Sequence, residues 1–242
     1  MSAPVKGILF DKDGTLFDFN ATWAAWAYDF LTDLAGGDAS KAAFLAGTLG
    51  FDYAHRSFHP ESPVIAGTPE EIAQYIMPFV QDVPDAELLD RMNQSAANAP
   101  QIEAVPLAPL LDQMRAAGLR LGVATNDAEL PARSHLGRAG VLDKFDFIAG
   151  FDSGFGGKPA PGQMLAFADQ GELDPAHVVM VGDSLHDLHA GRAAGMRCVG
   201  VLTGLATGPD LSEHADVVLP DIGFLPDWLK QQGLWPVPET LR

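Results

Sequence analysis

The chain has 242 residues, enough for one good core or a core plus a smaller domain, and its 47% hydrophobic and 19% charged residues describe an ordinary globular protein. Its 32 Asp and Glu against 15 Lys and Arg leave a formal charge of -17, a field that repels polyphosphate backbones and anionic membrane surfaces. Nucleic-acid and lipid-surface partners are therefore disfavoured, and a small anionic ligand has to meet locally placed cations or a metal ion.

Val5–Phe10 reads as a buried strand ending at Asp11. From about Asn20 to Gln101 the texture changes to aromatic and Ala-rich stretches with no convincing strand. Trp23, Trp26, Ala27 and Phe30 recur at helical spacing and predict an amphipathic helix over Ala21–Leu34, its tryptophans facing a core rather than a cofactor. Thr68-Pro-Glu-Glu71 carries an N-cap, a first-turn proline and two acids at the positive end of the dipole, and so predicts a helix over Pro69–Val80. A further helix is expected over Asp85–Ser95.

After Pro106 strands and helices alternate. Leu107–Ala117 and Ala128–Ala139 read as helices closed by Gly118 and Gly140, and Leu119–Ala124, Phe145–Ala149, Val178–Val181, Cys198–Leu202 and Val217–Leu219 as short apolar strands. That alternation predicts an α/β fold, a Rossmann-like parallel sheet covered on both faces, with an all-helical block inserted after its first strand. The expected division is a core of residues 1–17 plus 102–242 and a cap of residues 18–101. Cys198, alone and in an apolar run, reads as a structural thiol and allows no intrachain disulfide. No apolar run approaches the ~20 residues of a membrane span, and the N-terminus lacks the pattern of a signal peptide, so the expected location is cytoplasmic.

Ligands of open parallel sheets bind beyond the carboxyl ends of the strands, and four polar groups fall at such ends. Asp11-Lys-Asp-Gly-Thr15 puts two carboxylates and a sharp turn directly after the first strand, one able to attack phosphorus and the other to handle a proton. Thr125 in Leu121-Gly-Val-Ala-Thr-Asn126 offers a hydroxyl and backbone N–H groups to a phosphoryl oxygen, although a Thr at a strand end is also a common N-cap. Lys158, held in the Gly/Pro loop Gly156-Gly-Lys-Pro-Ala-Pro161 before a helix, could neutralise a phosphate, although taken in isolation it reads as an ordinary solvated lysine. Asp183 leaves an apolar strand through Gly182, with Asp187 one helical turn on; hard oxygen ligands of this kind suit Mg²⁺.

In this order the four groups resemble the four motifs of the haloacid dehalogenase superfamily, and the Asp-x-Asp-Gly-Thr and Gly-Asp-Ser-x-x-x-Asp pieces are its specific signatures. The resemblance implies a Mg²⁺-dependent hydrolase of a small phosphorylated metabolite, with Asp11 as nucleophile and Asp13 as general acid and base. It implies Mg²⁺ held by Asp11, the Asp13 carbonyl and Asp183, and phosphoryl oxygens held by Thr125, Asn126 and Lys158. Thr15, Ser184 and Asp187 would support that set from behind, Asp187 orienting Lys158 or a metal-bound water.

Spacing bears on the subtype. The 114 positions from Asp11 to Thr125 leave room for a helical cap and the 33 from Thr125 to Lys158 do not, which resembles the phosphoglycolate phosphatases and β-phosphoglucomutases. Lys12 departs from the apolar residue common at that place. The metal-free dehalogenases of the fold lack the second aspartate, and the phosphonatases need a cap lysine, for which only the solvated-looking Lys41 is available. A mutase shares all four motifs, and a phosphorylatable switch protein is the non-enzymatic alternative. Within the cap, His55, Arg56 and His59 concentrate in one short stretch and form a candidate substrate-reading loop, with Arg91 the remaining cation.

Overall fold

The computed structural model describes residues 3–80 and 82–236. The chain enters through β1 (Gly7–Phe10), four buried residues, and then builds a block with its own apolar core. That block opens with α1 (Phe19–Leu34), whose N-cap Asp18 accepts from Ala21 N, and continues with α2 (Ala39–Thr48), capped by Asp38. A two-residue hairpin follows, β2 (Phe51–Asp52) against β3 (Ser57–Phe58). This strand pair and α2 are features that periodicity does not reveal: each strand is too short to alternate, and α2 buries only Ala42, Leu45 and Ala46. Two helices complete the block, α3 (Pro69–Ile76) and α4 (Asp85–Ala97). The capping box expected at Thr68 is present, Glu71 N donating to Thr68 Oγ1 at 3.3 Å and Thr68 N to Glu71 Oε2 at 2.8 Å. The helix ends at Ile76 rather than Val80, because Pro78 cannot continue an α-helical ladder; Met77–Phe79 tightens to a 3₁₀ turn instead.

The remaining chain alternates: α5 (Leu107–Ala116), β4 (Arg120–Ala124), α6 (Glu129–Arg138), β5 (Phe147–Ala149), α7 (Gly162–Gln170), β6 (Val178–Gly182), α8 (Leu185–Ala193), β7 (Arg197–Val201), α9 (Gly208–Ser212), β8 (Val217–Leu219) and α10 (Leu225–Gln231). The strands form one six-stranded parallel sheet in the order β5-β4-β1-β6-β7-β8, the α/β arrangement the alternation predicts. Strand period separates its faces. Ile8, Phe10, Leu121, Val123, Val179 and Val181 pack towards α5, α6 and α10, while Leu9, Ala124, Val178 and Met180 pack towards α7. Gly122 is required on that second face, since a Cβ there would lie 2.7 Å from the Phe167 ring and 2.8 Å from Leu9.

The block is fastened to the sheet layer by α6, which donates to carbonyls at the C-terminus of α4. Ser134 Oγ and Arg138 Nη1 reach Ala97 O at 2.9 and 2.7 Å, and Arg138 Nη2 reaches Ala99 O at 2.8 Å. These carbonyls have no partner within their own helix, and a cation at a helix C-terminus is favoured by the dipole. Among the described residues no helix is long and apolar enough to cross a membrane.

Candidate active site

Register brings the candidate residues to one level. Phe10 pairs with Val123 on one side and Val181 on the other, so Asp11, Thr125 and Asp183 emerge together at the carboxyl edge of three adjacent strands. Gly14, at φ +76°, turns the chain back beside Asp183; a Cβ there would lie 2.4 Å from Asp183 Oδ2 and one on Gly204 1.6 Å from it. Two glycines thus form the cradle of this carboxylate.

Lys158 is the hub. Its ammonium donates to Asp11 Oδ1 at 2.6 Å, Asp187 Oδ1 at 2.6 Å and Ala124 O at 2.9 Å, three acceptors for three protons. Burial alone would discharge this lysine, but Asp11 and then Asp187 outweigh it, and the net shift is upward, so it stays charged. Asp187 is held by its other oxygen, which accepts from Ser184 N at 3.0 Å and Ser184 Oγ at 2.6 Å, and so orients Lys158. The side chain of Asn126 is fully engaged: it accepts from Lys158 N at 2.7 Å and donates to Lys158 O at 2.9 Å and Ala66 O at 2.8 Å. Its amide therefore latches the Lys158 loop and the cap, leaving no side-chain donor for a phosphate. Thr125 lines the cavity, its Oγ1 accepting from Asp127 N at 3.1 Å. Thr15 is buried behind Asp183, with Oγ1 3.5 Å from its Oδ1.

The carboxylates are short of positive charge. Burial pushes Asp11 up to about 7, with Asp187 and Asp13 adding to the shift and Lys158 opposing it. Asp183 is raised well above its ordinary value by burial and then by Asp11 and Asp187. Asp11, Asp183 and Asp187 each bring one oxygen within 4.8 Å of the others, a buried all-oxygen set of the kind a hard divalent cation takes. With Asp187 committed to Lys158 and Ser184, Asp11 and Asp183 are the carboxylates free to hold such an ion.

A second buried lysine lies beneath Asp13. Lys12 is 0% exposed and reaches Asp13 Oδ2 at 2.6 Å, Asp127 Oδ2 at 3.2 Å and His135 Nδ1 at 3.0 Å. An ammonium only donates, so His135 Nδ1 accepts, and its Nε2–H donates to the cap carbonyl of Ala96 at 2.8 Å. Burial and then Lys12 push His135 down to about 4, consistent with a neutral ring. Asp127 is pushed up to about 6 by burial, with Lys12 opposing. Asp13 keeps one oxygen, Oδ1, buried and without a hydrogen-bond partner among the described residues, while the residue itself lines the cavity. Sequence reasoning missed Asp127, His135 and Gln163, whose Nε2 donates to Thr125 O at 3.0 Å. Only Asp127 carried a signal, a third carboxylate three positions beyond a strand end.

The cap closes over this floor, and Phe19, Trp23, Trp26, Ile72 and Met92 line the shared cavity. The candidate reading loop does not reach it. His55 is exposed and bonded to Asp52 at 2.8 Å, Arg56 lies 3.7 Å from the Tyr28 ring centroid, and His59 is an exposed residue past β3. None of the three is in the cavity lining: His55 and Arg56 lie exposed in the β2–β3 turn and His59 lies exposed just past β3. Cys198 is buried and its thiol pushed up to about 12 by burial, which leaves it unreactive.

A family model described as haloacid dehalogenase-like hydrolase matches residues 5–195. Over 227 residues the chain is 30% identical to a protein named phosphoglycolate phosphatase from Nitrosospira multiformis, covering 90% of this chain and 93% of that one. A protein of the same name from Yersinia pseudotuberculosis is 28% identical over 224 residues, 89% of each chain. Among solved structures, a predicted phosphoglycolate phosphatase from Haemophilus somnus superposes with a TM-score of 0.71 at 20% identity, covering 94% of this chain and 98% of that one. CbbY from Rhodobacter sphaeroides, in complex with phosphate, gives a TM-score of 0.69 at 21% identity over 91% and 96%. At these identities the two structures speak for the fold.

Proposed function

The chain belongs to the haloacid dehalogenase-like hydrolase family, and from that premise we propose that it is a Mg²⁺-dependent phosphatase of small phosphomonoesters acting through an aspartyl-phosphate on Asp11. The observation that carries this reading is the Asp11 carboxylate at the sheet mouth, 2.6 Å from the buried Lys158 ammonium and grouped with Asp183. Mg²⁺, when bound by Asp11 and Asp183, would offset the repulsion between their carboxylates and an anionic phosphate.

Asp11 attacks phosphorus in line with the ester oxygen, forming a P–O bond as the ester P–O bond breaks. The buried Lys158 ammonium, its protons held by Asp11, Asp187 and Ala124 O, supplies positive charge against the charge that builds on the phosphoryl oxygens, and the Thr125 hydroxyl donates to one of them. Asp13 gives its proton to the departing alkoxide. In the second half water attacks the acyl phosphate, Asp13 takes a proton from it, and inorganic phosphate leaves with Asp11 restored. Lys12 grips Asp13 by Oδ2 alone, which leaves Oδ1 to carry that proton.

The names of the relatives make phosphoglycolate and sugar phosphates the first esters to assay. Hydrolysis is favoured over transfer within a sugar phosphate because Arg56 and Arg91, the cap cations available for a second phosphate, are engaged elsewhere, on Tyr28 and Asp33. The test is release of inorganic phosphate from a panel of phosphomonoesters with Mg²⁺. Equal yields of phosphate and alcohol are expected, abolished by chelation. A requirement for a bisphosphate with no phosphate released would replace this reading by a mutase, and full activity in EDTA would remove the metal from it.

A further inference from the structure

Resting on the phosphatase reading, we propose that the leaving group of the physiological ester is an uncharged, largely apolar alcohol. The floor deals with the phosphoryl group whatever ester is bound, so selection falls to the residues around the leaving group. On the cap side these are Phe19, Trp23, Trp26, Val64, Ile72 and Met92. The Trp26 indole N–H is spent on Ser95 Oγ at 2.9 Å, so only its ring is offered. That ring stacks on Phe30 at 5.2 Å and meets Trp23 edge-on at 5.3 Å, which holds both indoles in place.

Among the described residues Asn93 is the only amide, hydroxyl-bearing or charged side chain in the cap's share of the lining, and its Oδ1 is buried with no partner there. A single amide, with its unpartnered oxygen and its NH₂ group, matches one polar group on the leaving group rather than the several hydroxyls of a sugar. Cations are missing in the same place. Arg56 lies on Tyr28, Arg91 pairs with Asp33 at 2.9 Å, and Lys41 is exposed outside the lining. On the floor, the three protons of Lys158 are taken up, and Asp13 and Asp127 face the same space. His186, on the first turn of α8, is the one further titratable nitrogen in the lining among the described residues. A carboxylate on the leaving group would be desolvated against aromatic rings with two aspartates behind them, a penalty that discriminates against acidic esters.

The test compares benzyl phosphate, ethyl phosphate, glucose 6-phosphate and phosphoglycolate, with the full-length protein and Mg²⁺. Acetyl phosphate is included because its small activated leaving group probes the floor alone. The kcat/KM for benzyl phosphate is expected to exceed that for ethyl phosphate and glucose 6-phosphate by about tenfold and that for phosphoglycolate by about a hundredfold. Phosphoglycolate or glucose 6-phosphate equal to or better than benzyl phosphate, with acetyl phosphate turned over, would overturn the apolar leaving group and leave the phosphatase standing. No turnover of acetyl phosphate or any of the four would bring down the phosphatase reading and this inference with it. Placing a cation in the roof by Ile72→Arg should move the ratio of phosphoglycolate to benzyl phosphate upward by about tenfold or more; a folded variant with the wild-type ratio would also overturn the proposal.

Discussion

On the floor of the cavity Asp11, Asp13, Asp127, Asp183 and Lys158 crowd the ends of adjacent strands, whereas the roof set by α1, α3 and α4 is aromatic and aliphatic with one amide. The floor is built from buried or nearly buried charges held by two lysines, Asp11 on Lys158, and Asp13 and Asp127 on Lys12. The roof is a surface of shape, held by its own core and fastened at the α4 carbonyls. Chemistry therefore depends on single atoms below and on summed apolar contact above, and substitutions in the two places should differ in kind as well as in size.

The largest effect is expected from Asp11→Asn, which removes the proposed nucleophile and keeps the shape. Turnover should fall by about a thousandfold or more with the circular dichroism spectrum unchanged. A residual tenth of wild-type activity would end the covalent assignment. Gly204→Ala comes next. Its Cβ would lie 1.6 Å from Asp183 Oδ2, so the carboxylate has to swing out of its cradle. A displacement of that order should lower kcat/KM by about a hundredfold and reduce the Mg²⁺-induced thermal shift as well; a normal shift would mean that Asp183 is not a ligand.

Lys12→Met tests the buried layer under the floor. Removing one partner of a buried ion cluster leaves Asp13 and Asp127 uncompensated, at a cost of about 3–5 kcal/mol measured by urea unfolding. Adding Asp127→Asn should recover part of the loss, since it removes one of the stranded charges. If the single variant is as stable as wild type, the Lys12 cluster contributes nothing net to the fold.

A smaller effect separates proton from metal. Asp11 sits at about 7 in the folded metal-free protein against an ordinary 3.8, so its protonated form is the one the fold prefers. The associated stability is fully present below 3.8 and is lost as pH rises through about 7. A cation must displace that proton, so Mg²⁺ should stabilise more at about pH 8 than at about pH 5.5. The difference should amount to about 1 kcal/mol or more, which is roughly 2–4 °C for a chain of this size. Equal shifts at both pH values would argue that the ion binds away from Asp11.

The same division explains what could be read from the amino-acid order. Asp11, Thr125 and Asp183 were legible because each follows an apolar run by a residue or two, and parallel register then brings strand ends to one edge. Lys158 was legible only through its place in the family pattern; nothing local distinguishes it from a solvated lysine. His135 was invisible, since only the packing of α6 against α4 and β5 brings it to 3.0 Å from Lys12. On the roof, Trp23 and Trp26 read correctly as buried core, yet the same side chains also line the cavity. Periodicity identifies an apolar face without saying how much of it looks inward at a ligand.

Arg56 carries the smallest expected effect and the sharpest consequence for the roof. His55, Arg56 and His59, close together in the chain, pointed to a substrate-reading loop, but clustering in sequence does not set direction. Asp52 accepts from Ala54 N and His55 N and turns the chain; Arg56 takes a left-handed φ of 51° and lays its guanidinium on Tyr28. Such an exposed cation–π contact is worth about 0.5–1 kcal/mol. Arg56→Ala should therefore lower stability by about that much and leave kcat/KM within about twofold for acidic and neutral esters alike. Arg56→Gly should regain part of the loss by relieving the left-handed backbone. A tenfold rise in KM for phosphoglycolate, with ethyl phosphate unaffected, would place the hairpin over the leaving group. Selection would then rest on charge at the cap's edge, and the contrast between an ionic floor and an apolar roof would fail.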